Sequence, residues 1–280
     1  MGNVRLVAVI VCLALCAGCA ALSNRSTSAS VPFVVTPPKV VREMLKFADV
    51  KQEDLVYDLG SGDGRIVIAA ARTYGTRAVG VEIDPKLVKE SEENAEKAGV
   101  SDRVRFLQED IFKTDLRDAT VITMFLLPGV NAMLAPKFMN ELKPGTRIVS
   151  HMFDMGEWLP DKTTYVDIST IYYWVVPADV DGTWRFELPF TAGTKPAELF
   201  IRQAYQKLSG WLRMNGRKLT LVDPRIEGAR LSFSTEGPIN GQATRMLFSA
   251  TASNRRLAGR VEVTGGPLAG SYDFDASPTP

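Results

Sequence analysis

Acidic residues and glycines fall at three places in the first half of the sequence where together they could hold a nucleoside. The stretch Leu55 to Arg65, LVYDLGSGDGR, ends a short apolar run at Asp58 and continues through Gly60, Ser61, Gly62, Asp63 and Gly64. Glycine admits the positive φ of a tight turn and, lacking Cβ, lets a ligand lie on the backbone. A second apolar run, Ala78 to Val81, stops at Glu82, and a third, Val104 to Leu107, stops at Gln108-Glu109-Asp110. A carboxylate at Glu82 can accept hydrogen bonds from both hydroxyls of a ribose. Asp110 falls beside the position where the amino group of an adenine would lie.

What the loop lacks narrows the ligand. A phosphate loop of the Walker type needs Lys-Ser or Lys-Thr after the last glycine, and here Arg65-Ile66 follows. The dinucleotide fingerprint is G-x-G-x-x-G, whereas this turn is G-x-G-x-G and carries acids at Asp58 and Asp63 that a pyrophosphate would not welcome. A ligand without phosphate and with a positive centre suits it better, and S-adenosylmethionine (SAM) has both properties.

The elements that must position these groups are legible from periodicity. Leu55 to Tyr57 reads as the end of a buried strand and Ile66 to Ala71 as a helix. Asp84 caps a charged, exposed helix that stops at Gly99. Val40 to Ala48 has helical spacing behind the extended, proline-bearing piece Pro32 to Pro38. Thr120 to Pro128 is expected as a fourth strand, Val130 to Leu142 as a helix, and Thr146 to Phe153 as a fifth strand. Val166 to Ile168 and Ile171 to Val176 read as a closing hairpin, with no helix between the fifth and sixth strands.

With these motifs in place, DLGSGDG, VGVEID and EDIF resemble the three cofactor segments of the class I SAM-dependent methyltransferases. More narrowly, TPPKVVREMLKFADV followed by DLVYDLGSGDGRIVIAAA resembles the ATP synthase c-subunit lysine methyltransferases and their bacterial relatives, over about Pro32 to Pro177. The resemblance implies an α/β, Rossmann-like class I sheet, mostly parallel with an antiparallel closing hairpin. It implies SAM as cofactor, held by Thr36, Asp58, Gly60, Ser61, Gly62, Asp63, Gly64, Glu82, Asp110 and Ile111. Thr36 would face the methionine end; a staple pinning the chain to the sheet is the other reading of that segment. Protein lysine is the acceptor the resemblance suggests, and a small-molecule acceptor is also open.

No catalytic residue is assigned; Phe125, His151 and Trp158 are the candidates. The turn after the fourth strand, Phe-Leu-Leu-Pro-Gly, lacks the Asp/Asn-Pro-Pro-Tyr/Phe pattern of enzymes that methylate nucleobase amines or glutamine amides. A pocket lined by Phe125, Leu127 and Trp158 would favour the neutral amine of a lysine. His151, the only histidine, could accept a proton, or it could be a satisfied core residue.

From Gly182 the helical period gives way to about eight short alternating runs, expected to form an all-β barrel or sandwich over residues 180–276, after a SAM-binding domain over 32–178. That second domain reads as a packed or partner-binding module rather than a ligand cup. The fragments LSG and LAG at Leu208, Leu257 and Leu268 hint at a recurring hairpin unit.

The N-terminus raises the question of compartment. Arg5 precedes a thirteen-residue apolar run, Leu6 to Gly18, short for a spanning helix and suited to a signal peptide. Ala17-Gly18-Cys19 resembles the end of a lipobox, so residues 1–19 are expected as a lipoprotein-type signal, with a lipid anchor at Cys19 and a flexible tether over 20–31. This places the chain at the bacterial cell envelope, on the periplasmic side, or in the cytoplasm if translation starts downstream. Export would separate the domain from cytosolic SAM, so the alternative is an envelope protein that binds SAM or a nucleotide without turnover, acting through its β domain. With 33 basic against 32 acidic side chains, no long-range field favours nucleic acid. All three cysteines lie within the first nineteen residues, leaving no thiolate metal site or disulfide framework beyond them.

Overall fold

The computed structural model describes residues 35–190, 193–239, 241–266 and 268–279. The signal, lipobox and tether expected over residues 1–31 lie outside the described residues. No helix among the described residues is long and apolar enough to cross a membrane.

The first half is a seven-stranded sheet. Its strands are β1 (Leu55–Leu59), β2 (Arg77–Glu82), β3 (Val104–Gln108), β4 (Val121–Met124), β5 (Arg147–His151), β6 (Lys162–Val166) and β7 (Ser169–Val175), in the spatial order β3-β2-β1-β4-β5-β7-β6. β1 to β5 pair in parallel. β7 is antiparallel to β5, and β6 is antiparallel to β7. The strand order reverses between β1 and β4, and open α/β sheets bind ligands in the crevice at such a switch point.

Four helices among the described residues flank the sheet: α1 (Pro38–Phe47), α2 (Arg65–Tyr74), α3 (Pro85–Lys97) and α4 (Pro128–Glu141). Their apolar stripes pack in two layers. On one side Val40, Met44 and Leu45 of α1 join Val67 and Ala70 of α2 and Ala95 of α3 against Val56, Val121 and Val149. On the other, Leu134 and Phe138 of α4 cover Leu59, Ile122 and Ile148 together with Trp158 and Trp174. Alternation along each strand therefore feeds both layers, as the pleat requires.

The expected strand at Val166 to Ile168 is corrected. The chain pairs earlier, over Lys162–Val166, and Asp167 and Ile168 make the turn, Asp167 with φ of 54°. Lys162-Thr-Thr-Tyr165 is polar because it forms an outer edge, which hid it from a search for apolar runs.

The second half is a closed antiparallel barrel. Its nine strands are β8 (Gly182–Phe190), β9 (Gly193–Ala204), β10 (Lys207–Met214), β11 (Arg217–Thr220), β12 (Val222–Glu227), β13 (Arg230–Ile239), β14 (Gln242–Ser253), β15 (Arg256–Thr264) and β16 (Gly270–Pro278). Eight of them close into a ring, β10-β12-β13-β14-β15-β16-β8-β9 and back to β10, while β11 is a flap on β10. The run expected as one strand from Leu219 to Val222 is thus two, separated at Leu221, and within β12 the register slips between Val222 and Arg225, where Asp223 takes φ of 48°. Inward positions are filled by side chains, with Phe233 stacked on Phe248 at 4.6 Å and Phe186 against Phe274 at 4.9 Å. The barrel is packed, as a small barrel can be without a lumen.

The barrel is attached at the edge of the sheet opposite the ends of β1 to β5. Gly145, which precedes β5, sits close against Gly228, and the Ala178 N–H donates to the Gly228 carbonyl at 2.8 Å. The Gln206 amide donates to the Leu159 carbonyl at 2.5 Å, and Tyr205 stacks on Trp158.

Candidate functional site

The site is assembled from strand tips on the free edge. β1 delivers Asp58, which is buried and accepts a hydrogen bond from Thr123 Oγ1 at 2.7 Å, Thr123 standing in register beside it on β4. Burial pushes the Asp58 carboxyl up to about 7; the Thr123 hydrogen bond opposes that rise, and the charges of Glu82 and Asp63 add to it. The chain then turns at Gly60, whose φ is +73° and whose missing Cβ would sit 2.8 Å from Leu126 Cδ2. The Gly60 and Ser61 N–H groups both donate to the Val81 carbonyl, at 2.9 and 3.0 Å, which seats the loop on the end of β2.

Glu82 closes β2 and is itself held. Its Oε2 accepts from the Gly62 N–H at 3.0 Å, and its Oε1 accepts from the N–H groups of Ile83 and Asp84 at 2.8 and 3.0 Å. A carboxylate offers about four acceptor positions, so one remains on Oε2. The Glu109 N–H donates to the Glu82 carbonyl at 3.1 Å, drawing the end of β3 alongside. There the half-buried Asp110 accepts from the Phe112 N–H at 3.0 Å, and Ile111 packs onto the α4-side core.

Asp63 does something other than expected. Its carboxylate is taken up by Arg65, with Nε at 2.9 Å and Nη2 at 2.5 Å, and Arg65 Nη1 donates to the Thr36 carbonyl at 3.1 Å. Burial alone would raise the Asp63 carboxyl, but the Arg65 guanidinium holds it below its ordinary value. Asp63 therefore clips the segment before α1 onto the glycine loop, its Oδ1 accepting from the Arg65 Nε and its Oδ2 from Nη2. The same segment is fixed at its other end, where Thr36 Oγ1 lies 3.2 Å from His151 Nδ1.

His151 is the satisfied core residue of the two readings. Its Nε2 lies 3.0 Å from Ser169 Oγ, so both ring nitrogens are occupied, and the Phe125 ring packs on it at 4.1 Å. Burial lowers its pKa to about 4, which keeps the ring neutral at ordinary pH. Phe125 is half-buried at the end of β4, with Phe153 stacked 6.2 Å away. Trp158 is withdrawn from the acceptor wall: it is fully buried in the α4-side core, and its ring lies parallel to Tyr205 at 5.3 Å.

Several contributors were missed from sequence. Thr123 was discoverable, because placing β4 beside β1 puts it next to Asp58. Arg65 registers in the sequence only as the absence of a lysine. Ser169 and Asn131, the latter donating to the Phe153 carbonyl at 3.0 Å and bracing the β5 turn, gave no local signal.

The donor set fits a cationic nucleoside ligand that carries no phosphate. Two buried carboxylates, Asp58 and Glu82, stand near the tips of β1 and β2, no lysine follows the loop, and Ser61 Oγ is buried without a hydrogen-bond partner among the described residues. A pyrophosphate would meet like charge there.

Known proteins share this half of the chain. The family model described as the ANTKMT methyltransferase domain matches residues 58–162. A protein-lysine N-methyltransferase of Saccharolobus islandicus is 49% identical over 151 residues, which is 52% of this chain and 94% of that protein. The ATP synthase c-subunit lysine N-methyltransferase of Mus musculus is 37% identical over 142 residues, covering 51% of this chain and 57% of the mouse protein. Among solved structures, an RNA methyltransferase from Salinibacter ruber in complex with S-adenosyl-L-homocysteine is 54% identical, covers 53% of this chain and 99% of that one, and superposes with a TM-score of 0.51.

Proposed function

Because the chain belongs to the SAM-dependent methyltransferase family that includes the protein-lysine N-methyltransferase of Saccharolobus islandicus, we propose that it transfers a methyl group from SAM to a lysine amine of a protein. The observation that carries the acceptor reading is the wall after β4. Phe125 packs on a neutral histidine, and Leu126, Leu127 and Pro128 follow it without a polar side chain to hold a nucleobase amine.

Asp58, Ser61, Glu82, Asp110, Ile111 and the backbone from Gly60 to Gly64 would hold the cofactor, with Thr36 at the methionine end. When bound, SAM supplies an electrophilic methyl on a sulfonium. The residues of the chain have two tasks. Asp58, raised by burial, loses its proton when a positive charge is placed against it, and so binds and orients that charge. Phe125 and Leu127 keep water from the acceptor, and a low-dielectric wall favours the unprotonated, nucleophilic form of an amine. Holding both reactants in line then does most of the work, since well-oriented pairs reach effective molarities of about 10⁵–10⁸ M. No proton-accepting side chain is required at His151.

Two relatives' names point to different acceptors, protein lysine and RNA. Transfer of labelled methyl from SAM separates them: label in protein and none in RNA is expected, and the reverse would overturn the lysine reading. Calorimetry with S-adenosylhomocysteine on the same preparation tests the cofactor. Export by the N-terminal run, with a lipid anchor at Cys19, belongs to the second reading, in which the chain sits at the cell envelope apart from cytosolic SAM and binds without turnover. Mass spectrometry of the mature N-terminus checks this, and an intact Met1 would remove it.

A further inference from the structure

The free edge of the sheet carries an unusual concentration of exposed apolar side chains around the mouth of the site. Val35 lies beside Thr36; Ile83 follows β2, Phe112 follows β3, and Leu127 follows β4. Tyr165 is next to last on β6 and Ile168 stands on the β6–β7 turn, which reaches the same edge because Ile171 is in register with His151. Ile168 is 93% exposed, Tyr165 74% and Ile83 68%, so none of the three is spent on packing. The barrel, attached at the opposite edge, leaves this rim uncovered.

The charges on the rim decide what kind of partner fits. Lys39 is paired with Asp167, Lys113 with Asp110 and Arg65 with Asp63. Asp84, Glu109 and Asp154 are exposed and have no ion pair among the described residues. Against them stands Lys86, likewise without an ion pair among the described residues. A polyanion needs the opposite balance, since its affinity comes from lysines and arginines that replace counterions. An apolar rim with surplus acid suits a cationic side chain presented from an apolar surface.

We infer that the rim docks an apolar stretch of the acceptor protein, so that the methylated lysine is one flanked by apolar residues. This rests on the methyltransferase reading and deepens it. The acids draw the lysine toward the mouth, and the flanking apolar side chains cover Ile83, Tyr165 and Ile168 as it enters. Closing the rim in this way also completes the exclusion of water that Phe125 and Leu127 begin.

The test uses the full chain and two synthetic peptides with the same central lysine, one flanked by leucine and alanine, the other by serine and glycine. Labelled-methyl transfer should show kcat/KM at least tenfold higher for the apolar peptide. A Tyr165→Ser/Ile168→Ser variant should lose that preference while keeping the wild-type rate on the polar peptide. Equal rates, a preference that survives in the variant, or no transfer to either peptide from protein that binds S-adenosylhomocysteine would overturn the inference. So would label passing instead to an RNA oligonucleotide, or binding to phosphatidylcholine and phosphatidylglycerol vesicles that the variant loses without any peptide preference. Failure to bind S-adenosylhomocysteine at all would instead sink the methyltransferase reading.

Discussion

Asp58→Asn isolates the electrostatics of the site. The Asp58 carboxyl is raised from 3.8 to about 7, burial being the main cause. Three decades of proton affinity at about 1.4 kcal/mol each amount to roughly 4 kcal/mol. A carboxyl whose folded-state pKa lies above its unfolded value binds more protons when folded. Its contribution to stability is therefore fully present below about pH 4 and is lost as pH rises through about 7. Ligand-free Asp58→Asn should then be more stable than wild type at pH 8, by up to roughly 4 kcal/mol, with the gain shrinking as pH falls and gone near pH 4. Asparagine keeps an oxygen for the Thr123 hydroxyl, so packing changes little. Urea unfolding at several pH values reads the difference. Binding runs the other way. A cationic ligand favours ionised Asp58, so wild type should release close to one proton on binding near pH 6, and its affinity should fall about tenfold per pH unit below 7. Calorimetry in two buffers of different ionisation enthalpy counts that proton. His151, held near 4, stays neutral in the folded protein around pH 6–7, and its titration on unfolding is common to both proteins and cancels in the difference. Equal stability at pH 8 together with pH-independent affinity would refute the reasoning.

Two further substitutions probe the aromatic and histidine candidates. His151→Phe leaves Thr36 Oγ1 and Ser169 Oγ without their partner, each buried hydroxyl costing about 1–3 kcal/mol. It should lower kcat about tenfold, equivalent to roughly 1.4 kcal/mol, with S-adenosylhomocysteine affinity nearly unchanged; loss of the acidic limb from the pH-rate profile would instead identify His151 as a proton acceptor. Trp158→Ala should cost about 3–5 kcal/mol in thermal or urea unfolding, because the ring is wholly enclosed between α4 and Tyr205. Its affinity for S-adenosylhomocysteine should hold where the variant is folded, and a selective loss of binding would return Trp158 to the site.

The sequence exposed what local rules govern. The glycine loop, the acids at the ends of β1, β2 and β3, and the Asn215-Gly216 turn are each set by backbone geometry within a few residues, and each lies where expected. The recurring LSG and LAG fragments acquire a reason: a Cβ on Gly210 or Gly259 would come within about 2 Å of a carbonyl oxygen on the neighbouring strand, so these glycines let the barrel wall curl. What could not be read was set by partners distant in sequence. The ion pair of Asp63 with Arg65 is one such case, since only the folded chain brings the Thr36 carbonyl to the same guanidinium. Trp158 looked like pocket lining because it follows β5, yet Tyr205, from the barrel, covers it. The sequence left a barrel and a sandwich both open, because the pairing of β16 with β8 that joins the last strand to the first has no local signature.

The groups that would grip the ligand also hold the strand tips to one another. Thr123 joins β4 to Asp58 on β1, Glu82 joins β2 to the Gly62 N–H, and the Glu109 N–H joins β3 to β2. Asp63 and Arg65 carry the connection to Thr36, and His151 passes it on to Ser169 at the start of β7. Such a network is preorganised, because its dipoles are already aimed before a ligand arrives. It also means that truncation confounds two effects. Glu82→Ala would strip a ribose acceptor and at the same time orphan three backbone N–H groups, so weakened binding would not show which loss mattered. Glu82→Gln keeps the shape and one accepting oxygen for Ile83 and Asp84, and turns an amide toward Gly62. If affinity falls at least tenfold while the unfolding midpoint moves little, Glu82 holds the ligand; if both fall together, its main role is to hold the loop.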